Sequence, residues 1–179
     1  DGDIFLAGGV ENMTRGPWGI SKASAPFGRD SEMHDTSFGW RFINPKLDEK
    51  FGTDSMGETA ENLVEKYAIS REDQDEFAYN SHKKAVNAIN NGFFKDEIIP
   101  IKVSETYLNT NEKKETREYI VDTDEGARQD TTIEKLAKLR PVFANKGSVT
   151  AGNSSQISDG ASFVIVMSEK LVKKLNLKP

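Results

Sequence analysis

The stretch Gly147-Ser-Val-Thr-Ala-Gly-Asn-Ser-Ser-Gln-Ile-Ser-Asp-Gly-Ala-Ser-Phe-Val-Ile-Val-Met167 organises the chain. It begins as a concentration of small residues and ends in an apolar run. Phe163 to Met167, with Val164, Ile165 and Val166 at its centre, carries the pattern of a strand buried on both faces. Ahead of it, Gly147, Gly152 and Gly160 admit backbone conformations that a Cβ resists. Thr150, Asn153, Ser154, Ser155 and Ser158 crowd short hydrogen-bonding groups along the same backbone. Two readings stand side by side: a tight connection into a core strand, or a slim polar wall against which a ligand lies.

Working outward, the 179 residues have room for one large domain, or for one domain and part of another. The formal net charge of −5 argues against nonspecific nucleic-acid binding, which needs clustered Lys and Arg. No apolar run is long enough to span a bilayer, and the start has no signal-peptide pattern; the expected compartment is the cytoplasm. The chain has no cysteine, so disulfides, thiolate metal sites and thiol nucleophiles are excluded from it. His34 and His82 do not make a metal cluster. A start at Asp1, three residues before a buried-looking strand, is expected of a piece of something longer.

Ile4 to Ala7 reads as that strand, stopped by Gly8-Gly9 and followed by the polar cluster Glu11, Asn12 and Met13. Such a cluster past a core strand is either a ligand contact or a turn with a helix-starting Asn. From Thr14 to about Thr53 periodicity fails, and Pro17, Pro26, Pro45 and scattered aromatics suggest an ordered covering loop. His34, within it, reads as a surface or hydrogen-bonded structural residue. Ala60, Leu63, Val64 and Tyr67 form one face of a helix from Gly57 to Tyr67. Ser70-Arg-Glu-Asp73 opens a second helix with Phe77, Ala78, Ser81, Ala85, Val86 and Ile89 on its face, His82 at the boundary and Gly92 as its stop.

Ile98 to Val103 and Glu118 to Val121 lean towards strand, separated by the charged tract Asn109 to Arg117, which reads as a solvated hairpin or loop. Thr131-Thr-Ile-Glu134 caps a third helix with Ile133, Leu136, Ala137 and Leu139. Arg128, Lys135, Lys138 and Arg140 make the one compact basic cluster of an acidic chain, suited to a phosphate-bearing ligand or simply ordinary surface charge. Ser168 caps a last helix carrying Leu171, Val172 and Leu175.

These pieces resemble the thiolases, the acetyl-CoA acyltransferases. The matching motifs are Ala7-Gly-Gly-Val-Glu-Asn-Met13, Met56-Gly-Glu-Thr-Ala-Glu-Asn62, Ser70-Arg-Glu-Asp-Gln-Asp-Glu-Phe-Ala78, Phe94-Lys-Asp-Glu-Ile-Ile-Pro100, Lys138-Leu-Arg-Pro-Val-Phe143 and Gly147-Ser-Val-Thr-Ala-Gly-Asn153, ending in Asp159-Gly-Ala161. Each is weak alone and specific in register with the others. The tract Phe38-Gly-Trp-Arg-Phe-Ile-Asn-Pro45 is most similar to members acting on longer or oxoadipyl-type acyl-CoA.

The resemblance implies an α/β fold fragment: a loop domain of helices and short strands, flanked by two strands of the N-terminal βαβαβαββ half. Residues 1–14 would be the end of that half with its fourth strand, and residues 15–150 the inserted loop domain. Residues 151–179 would return to the half through a CoA-facing loop, the fifth strand and a helix, so Ile4–Ala7 and Phe163–Val166 should pair antiparallel. The family's nucleophilic Cys is expected upstream, and its Asn, His and second Cys downstream; no catalytic residue is expected within this piece, which alone should be inactive.

By the same resemblance, coenzyme A or acyl-CoA is a substrate and no cofactor is held permanently. Arg128 and Lys135 lie where the family holds the adenine and phosphate end. Phe143, Ala151 and Ser155 lie where it holds the pantetheine arm, and Leu47, Ser55 and Met56 correspond to a lining region near the reacting end. Ser55 departs from a His of many biosynthetic members, and Lys135 from a Ser of some. The family also implies fatty acid metabolism, and a homodimeric or homotetrameric parent without nucleic-acid or membrane partners. A non-catalytic acyl-CoA-binding or interaction module with a degenerate thiolase-like fold is the alternative. A nucleotide-binding role for the Gly-rich stretch is poorer, because its glycines precede a strand instead of opening a helix.

Overall fold

A computed structural model describes residues 2–178. Asp1 and Pro179, the outer ends of the expected segments 1–14 and 151–179, lie outside the described residues. The described residues are α/β, with helices of 5 to 20 residues and three two-stranded antiparallel pairings. The chain divides into two units, one of residues up to Ser55 with those from Gln156 onward, the other Met56–Ser155.

In the first unit, β1 (Ile4–Glu11) pairs antiparallel with β6 (Gly160–Met167). The register places Phe5 opposite Val166, Leu6 opposite Ile165 and Ala7 opposite Val164, so the expected pairing of the two runs is present. Gly8-Gly9 does not stop the first strand, which continues to Glu11. The reason is local: the Phe163 ring of the facing strand lies over Gly8, where any Cβ would collide with it. Both ends of the ribbon are tied. The Thr14 amide and hydroxyl donate to the two Asp159 oxygens at 2.9 and 2.6 Å, and the Ser168 amide donates to the Asp3 carbonyl at 2.9 Å.

Burial on both faces, expected for these runs, is not what the structure has. Leu6 is 72% exposed and Ile165 64% exposed, on a ribbon with no covered face. Two strands cannot bury a face by themselves, so the apolar pattern records the neighbours the ribbon suits and not those it has here.

The tract from Thr14 to Thr53 is more regular than expected. A 3-10 turn (Met13–Arg15) precedes the short antiparallel pair β2 (Trp18–Ile20) and β3 (Met33–Asp35). His34 on β3 meets Phe42 edge-on at 4.9 Å, and its Nε2 lies 3.5 Å from Glu32. Helix α1 (Pro45–Phe51) follows. Asn44 caps it by accepting the Lys46 amide, Pro45 supplies a fixed φ at the first position, and Gly52 leaves it at φ +72°. Asn44-Pro45 was the legible signal, masked by the failure of apolar periodicity around it. Helix α5 (Glu169–Lys174) starts at its expected cap, Ser168.

The second unit is built on α2 (Met56–Tyr67) and α3 (Arg71–Asn90), joined by a short turn. Ser70 Oγ accepts the Asp73 amide at 3.0 Å and Gly92 takes φ +71°, so the expected start and stop of α3 both hold. Its packed face differs from expectation. Phe77 is 78% exposed while Asp75, two positions earlier and nearly opposite on the helix, is 3% exposed, so the packed side runs through Asp75, Ala78, Ala85, Val86 and Ile89 and leaves the ring out. Strands β4 (Ile101–Leu108) and β5 (Lys114–Val121) form a hairpin longer than the two β-leaning runs. The expected hairpin is present, with the last part of the charged tract, Lys114 to Arg117, in strand, and Arg117 pairs with Glu105 and Lys102 with Glu118 across the ladder. Helix α4 (Ile133–Ala137) is capped by Thr132, the second residue of the expected Thr131-Thr-Ile-Glu134 box and not the first, and ends before Leu139. Leu136 and Val149, at 5% and 4% exposure, mark where this unit's small core sits. Among the described residues, no helix is long and apolar enough to cross a membrane.

Candidate acyl-CoA-facing site

The segment 147–155 has almost no regular structure of its own, so its backbone polar groups need partners from elsewhere. Helix α2 supplies one. Glu61 Oε1 accepts the amides of Ser148 and Val149 at 2.9 and 2.8 Å, and Oε2 lies 3.2 Å from the Ser148 amide. Gly147 allows this approach, since a Cβ there would collide with the Glu61 carboxylate. Helix α3 holds the loop's side chains. Gln74 Nε2 donates to Ser148 Oγ at 2.9 Å, and Asp75 Oδ1 accepts from Asn153 Nδ2 at 3.1 Å. Asn153 Oδ1 in turn accepts the Thr150 amide at 2.7 Å, and Thr150 Oγ1 accepts the Gly152 amide at 3.1 Å. Thr150 is fully buried; it anchors the wall and does not present it.

The wall packs directly on α4. A Cβ on Gly152 would collide with the Leu139 side chain and lie 2.7 Å from Leu136 Cδ2, so glycine lets the wall lie against these two side chains without displacing them. Ala151 and Ser155, on the same turn, are the exposed positions of the wall. Phe143 is half-buried with its ring against Gly57, the buried glycine of the first turn of α2. Met56, which opens that helix, is 77% exposed. Leu47 on α1 is exposed and Ser55 half-buried, both in the other unit.

Arg128 and Lys135 are exposed and converge on one carboxylate. Lys135 Nζ donates to Asp130 Oδ2 at 2.9 Å and to the Asp130 carbonyl at 2.7 Å, and Arg128 Nε lies 3.6 Å from Asp130 Oδ1. The Lys135 hydrogen bond first, then the Lys135 and Arg128 charges, hold the Asp130 carboxyl below its ordinary range. The Arg128 amide donates to His82 Nδ1 at 3.1 Å. Arg128 also lines an open cavity of about 580 Å³ together with Tyr79, His82 and Asn90 of α3.

The structure therefore brings Arg128 and Lys135 together, and sets Ala151 and Ser155 on a wall braced by α4. Sequence reasoning missed Asp130, Glu61 and Asp75. Only the Arg71–Asp75 pair had a local signal, its i,i+4 spacing on a helix. Among the described residues, no group of three or more His, Asp or Glu is placed to hold a metal ion.

Comparison with known proteins gives the family. Residues 1–170 match the family pattern described as thiolase, N-terminal domain. The chain belongs to the thiolase family. It is 44% identical to a beta-ketoadipyl-CoA thiolase of Acinetobacter baylyi over 98% of its length, covering 42% of that protein. Over its whole length it is 44% identical to the 3-oxoadipyl-CoA/3-oxo-5,6-dehydrosuberyl-CoA thiolase of Escherichia coli, of which it covers 43%. Among solved structures it is similar to human mitochondrial 3-ketoacyl-CoA thiolase in complex with CoA, with a TM-score of 0.74 and 35% identity over 99% of this chain and 40% of that one. The chain thus spans less than half the length of these relatives, and its fold is that of part of the thiolase N-terminal half.

Proposed function

We propose that this chain is the stretch of a thiolase that carries its CoA-facing loop domain, and that the complete protein cleaves 3-ketoacyl-CoA with coenzyme A or condenses acyl-CoAs. In this reading residues 1–14 and 151–179 belong to the N-terminal half, and residues 15–150 are the insertion between its fourth and fifth strands. The β1–β6 pairing supports it, since it returns the chain beside its own start.

The observation that carries the functional reading is the packing of the 150–155 wall on α4, the helix that bears Lys135. It sets a slim surface fit for a pantetheine arm on the same support as cations fit for phosphates. Arg128 and Lys135 would hold the adenine and phosphate end; Phe143, Ala151 and Ser155 the pantetheine arm; Leu47, Ser55 and Met56 the acyl end. A thioester-exchanging thiolate is the natural nucleophile for this chemistry. With no cysteine among its 179 residues, this chain must face a nucleophile supplied from elsewhere in the complete protein, and alone it is inactive. The names of its relatives and the tract 38–45 favour an oxoadipyl-type substrate. The complete protein would be a cytoplasmic homodimer or homotetramer acting in fatty acid or related acyl-CoA metabolism.

The test is calorimetric titration of the chain with CoA beside a thiolysis assay of the complete protein on 3-oxoadipyl-CoA. Weak binding lost in Arg128→Ala, with CoA-dependent cleavage by the complete protein, is expected. Tight binding indifferent to Arg128→Ala would overturn the site. A complete protein that binds acyl-CoA yet neither cleaves nor condenses it would instead be the non-catalytic module.

A further inference from the structure

Asp75 is an acidic side chain 4% exposed, on the second turn of α3, and nothing in the proposed chemistry uses it. It sits between two groups that reach in opposite directions. Its Oδ2 accepts Arg71 Nε at 2.8 Å, and its Oδ1 accepts Asn153 Nδ2 at 3.1 Å. Arg71 continues outward, its Nη2 donating to the carbonyls of Leu136 and Leu139 at 2.7 and 3.1 Å, at the C-terminal end of α4. Asn153 continues the other way, holding the Thr150 amide and, at 3.3 Å, the Ser148 carbonyl.

We propose that the Arg71–Asp75 pair is a positioning device: one turn of α3 clamps the end of α4 to the 148–154 loop, fixing the phosphate-facing cations in register with the pantetheine wall. The inference rests on the proposed CoA site and assigns the residues that hold its two halves in step.

The geometry explains why a buried charge suits the place. A neutral residue at Asp75 could accept from one partner, but a carboxylate accepts from both at once and orients the guanidinium fork, whose remaining N–H groups fall on the helix carbonyls. Leaving either partner out strands a buried polar group, so the clamp is set as a unit. A ligand that spans both halves needs their spacing correct; a ligand that touches only the wall does not.

The test uses the complete protein and two thiols, coenzyme A and pantetheine, which lacks the nucleotide end. Asp75→Asn keeps size and one acceptor and drops the charge that holds Arg71. It should raise KM for CoA about tenfold with kcat changed by less than about twofold, while KM for pantetheine moves far less, so the advantage of CoA over pantetheine collapses. Arg71→Lys keeps a charge beside Asp75 and loses the fork to α4; it should shift the same ratio in the same direction, and it serves as the reading if Asp75→Asn does not fold. A purely structural role would lower thermal stability, or kcat for both thiols alike, and leave the ratio unchanged. That result overturns the proposal. Arg128→Ala and Lys135→Ala separate the two levels of inference. If neither alters KM for CoA, the site itself is misplaced; if they do and the α3 variants leave the ratio alone, only the clamp is wrong.

Discussion

Replacing Glu61 by Ala removes the acceptor that Ser148 and Val149 share, at distances of 2.9 and 2.8 Å. Val149 is 4% exposed, so water cannot readily take the place of the carboxylate there. A hydrogen bond to a charged group is worth roughly 1.5–3 kcal/mol net, and a stranded buried donor costs about 1–3 kcal/mol. The Ser148 amide is half-buried and recovers part of its loss from solvent, which brings the whole effect to about 3 kcal/mol. Amide hydrogen exchange reads this locally, and the protection of Val149 should fall about a hundredfold. Glu61→Gln keeps a carbonyl oxygen in the Oε1 position and loses the charge and the 3.2 Å approach of Oε2, so its cost should be about 1 kcal/mol. Val149 protection unchanged in Glu61→Ala, or Glu61→Gln as damaging as Glu61→Ala, would refute the account of how the wall is held.

Asp130→Asn removes the carboxylate that occupies Lys135 and Arg128. Anion affinity should rise about threefold at low salt and the gain should fade as salt is added, by calorimetry with CoA; weaker binding at low salt would contradict the view of Asp130 as an internal competitor. Asp159 has its carboxyl held below the ordinary range, first by the Thr14 hydroxyl and then by the Thr14 amide. A depressed native value means its contribution is fully present above the unfolded carboxylate range and disappears as pH falls through the native value. Asp159→Asn should therefore be less stable than the parent at neutral pH and converge with it in acid, as followed by denaturant titration across pH; a gap that persists unchanged in strong acid would rule this out. Gly152→Ala drives a methyl against Leu136 and Leu139 and should cost about 2 kcal/mol in thermal unfolding, where a neutral effect would show that the wall does not rest on α4.

The starts and stops of the elements were legible because capping is a local affair. Ser70, Thr132 and Ser168 each accept an amide three residues on, and Gly92 ends α3 with a positive φ, all within a few positions of sequence. Where the local signal competes with another, it is hidden: Asn44-Pro45 starts a helix inside a tract without periodicity, and Gly8-Gly9, a turn signal, stays in the strand where Phe163 covers Gly8. The strand pairing of β1 with β6 followed from the order of family motifs, since no pattern within either strand names its partner.

The sequence by itself determined the starts and stops of helices such as α3 and α5 and the lack of any cysteine nucleophile. Only the tertiary structure decided what distant residues do to one another. Asp75 lies on the packed side of α3 and Phe77 does not, Asp130 took up both candidate cations, and Glu61 anchored a loop 87 positions away. The reason is physical. A cap or a periodic face is set by the spacing of neighbours along the chain, whereas a hydrogen bond between a helix and a distant loop has no period and becomes visible only when packing excludes water from the groups that must then find each other.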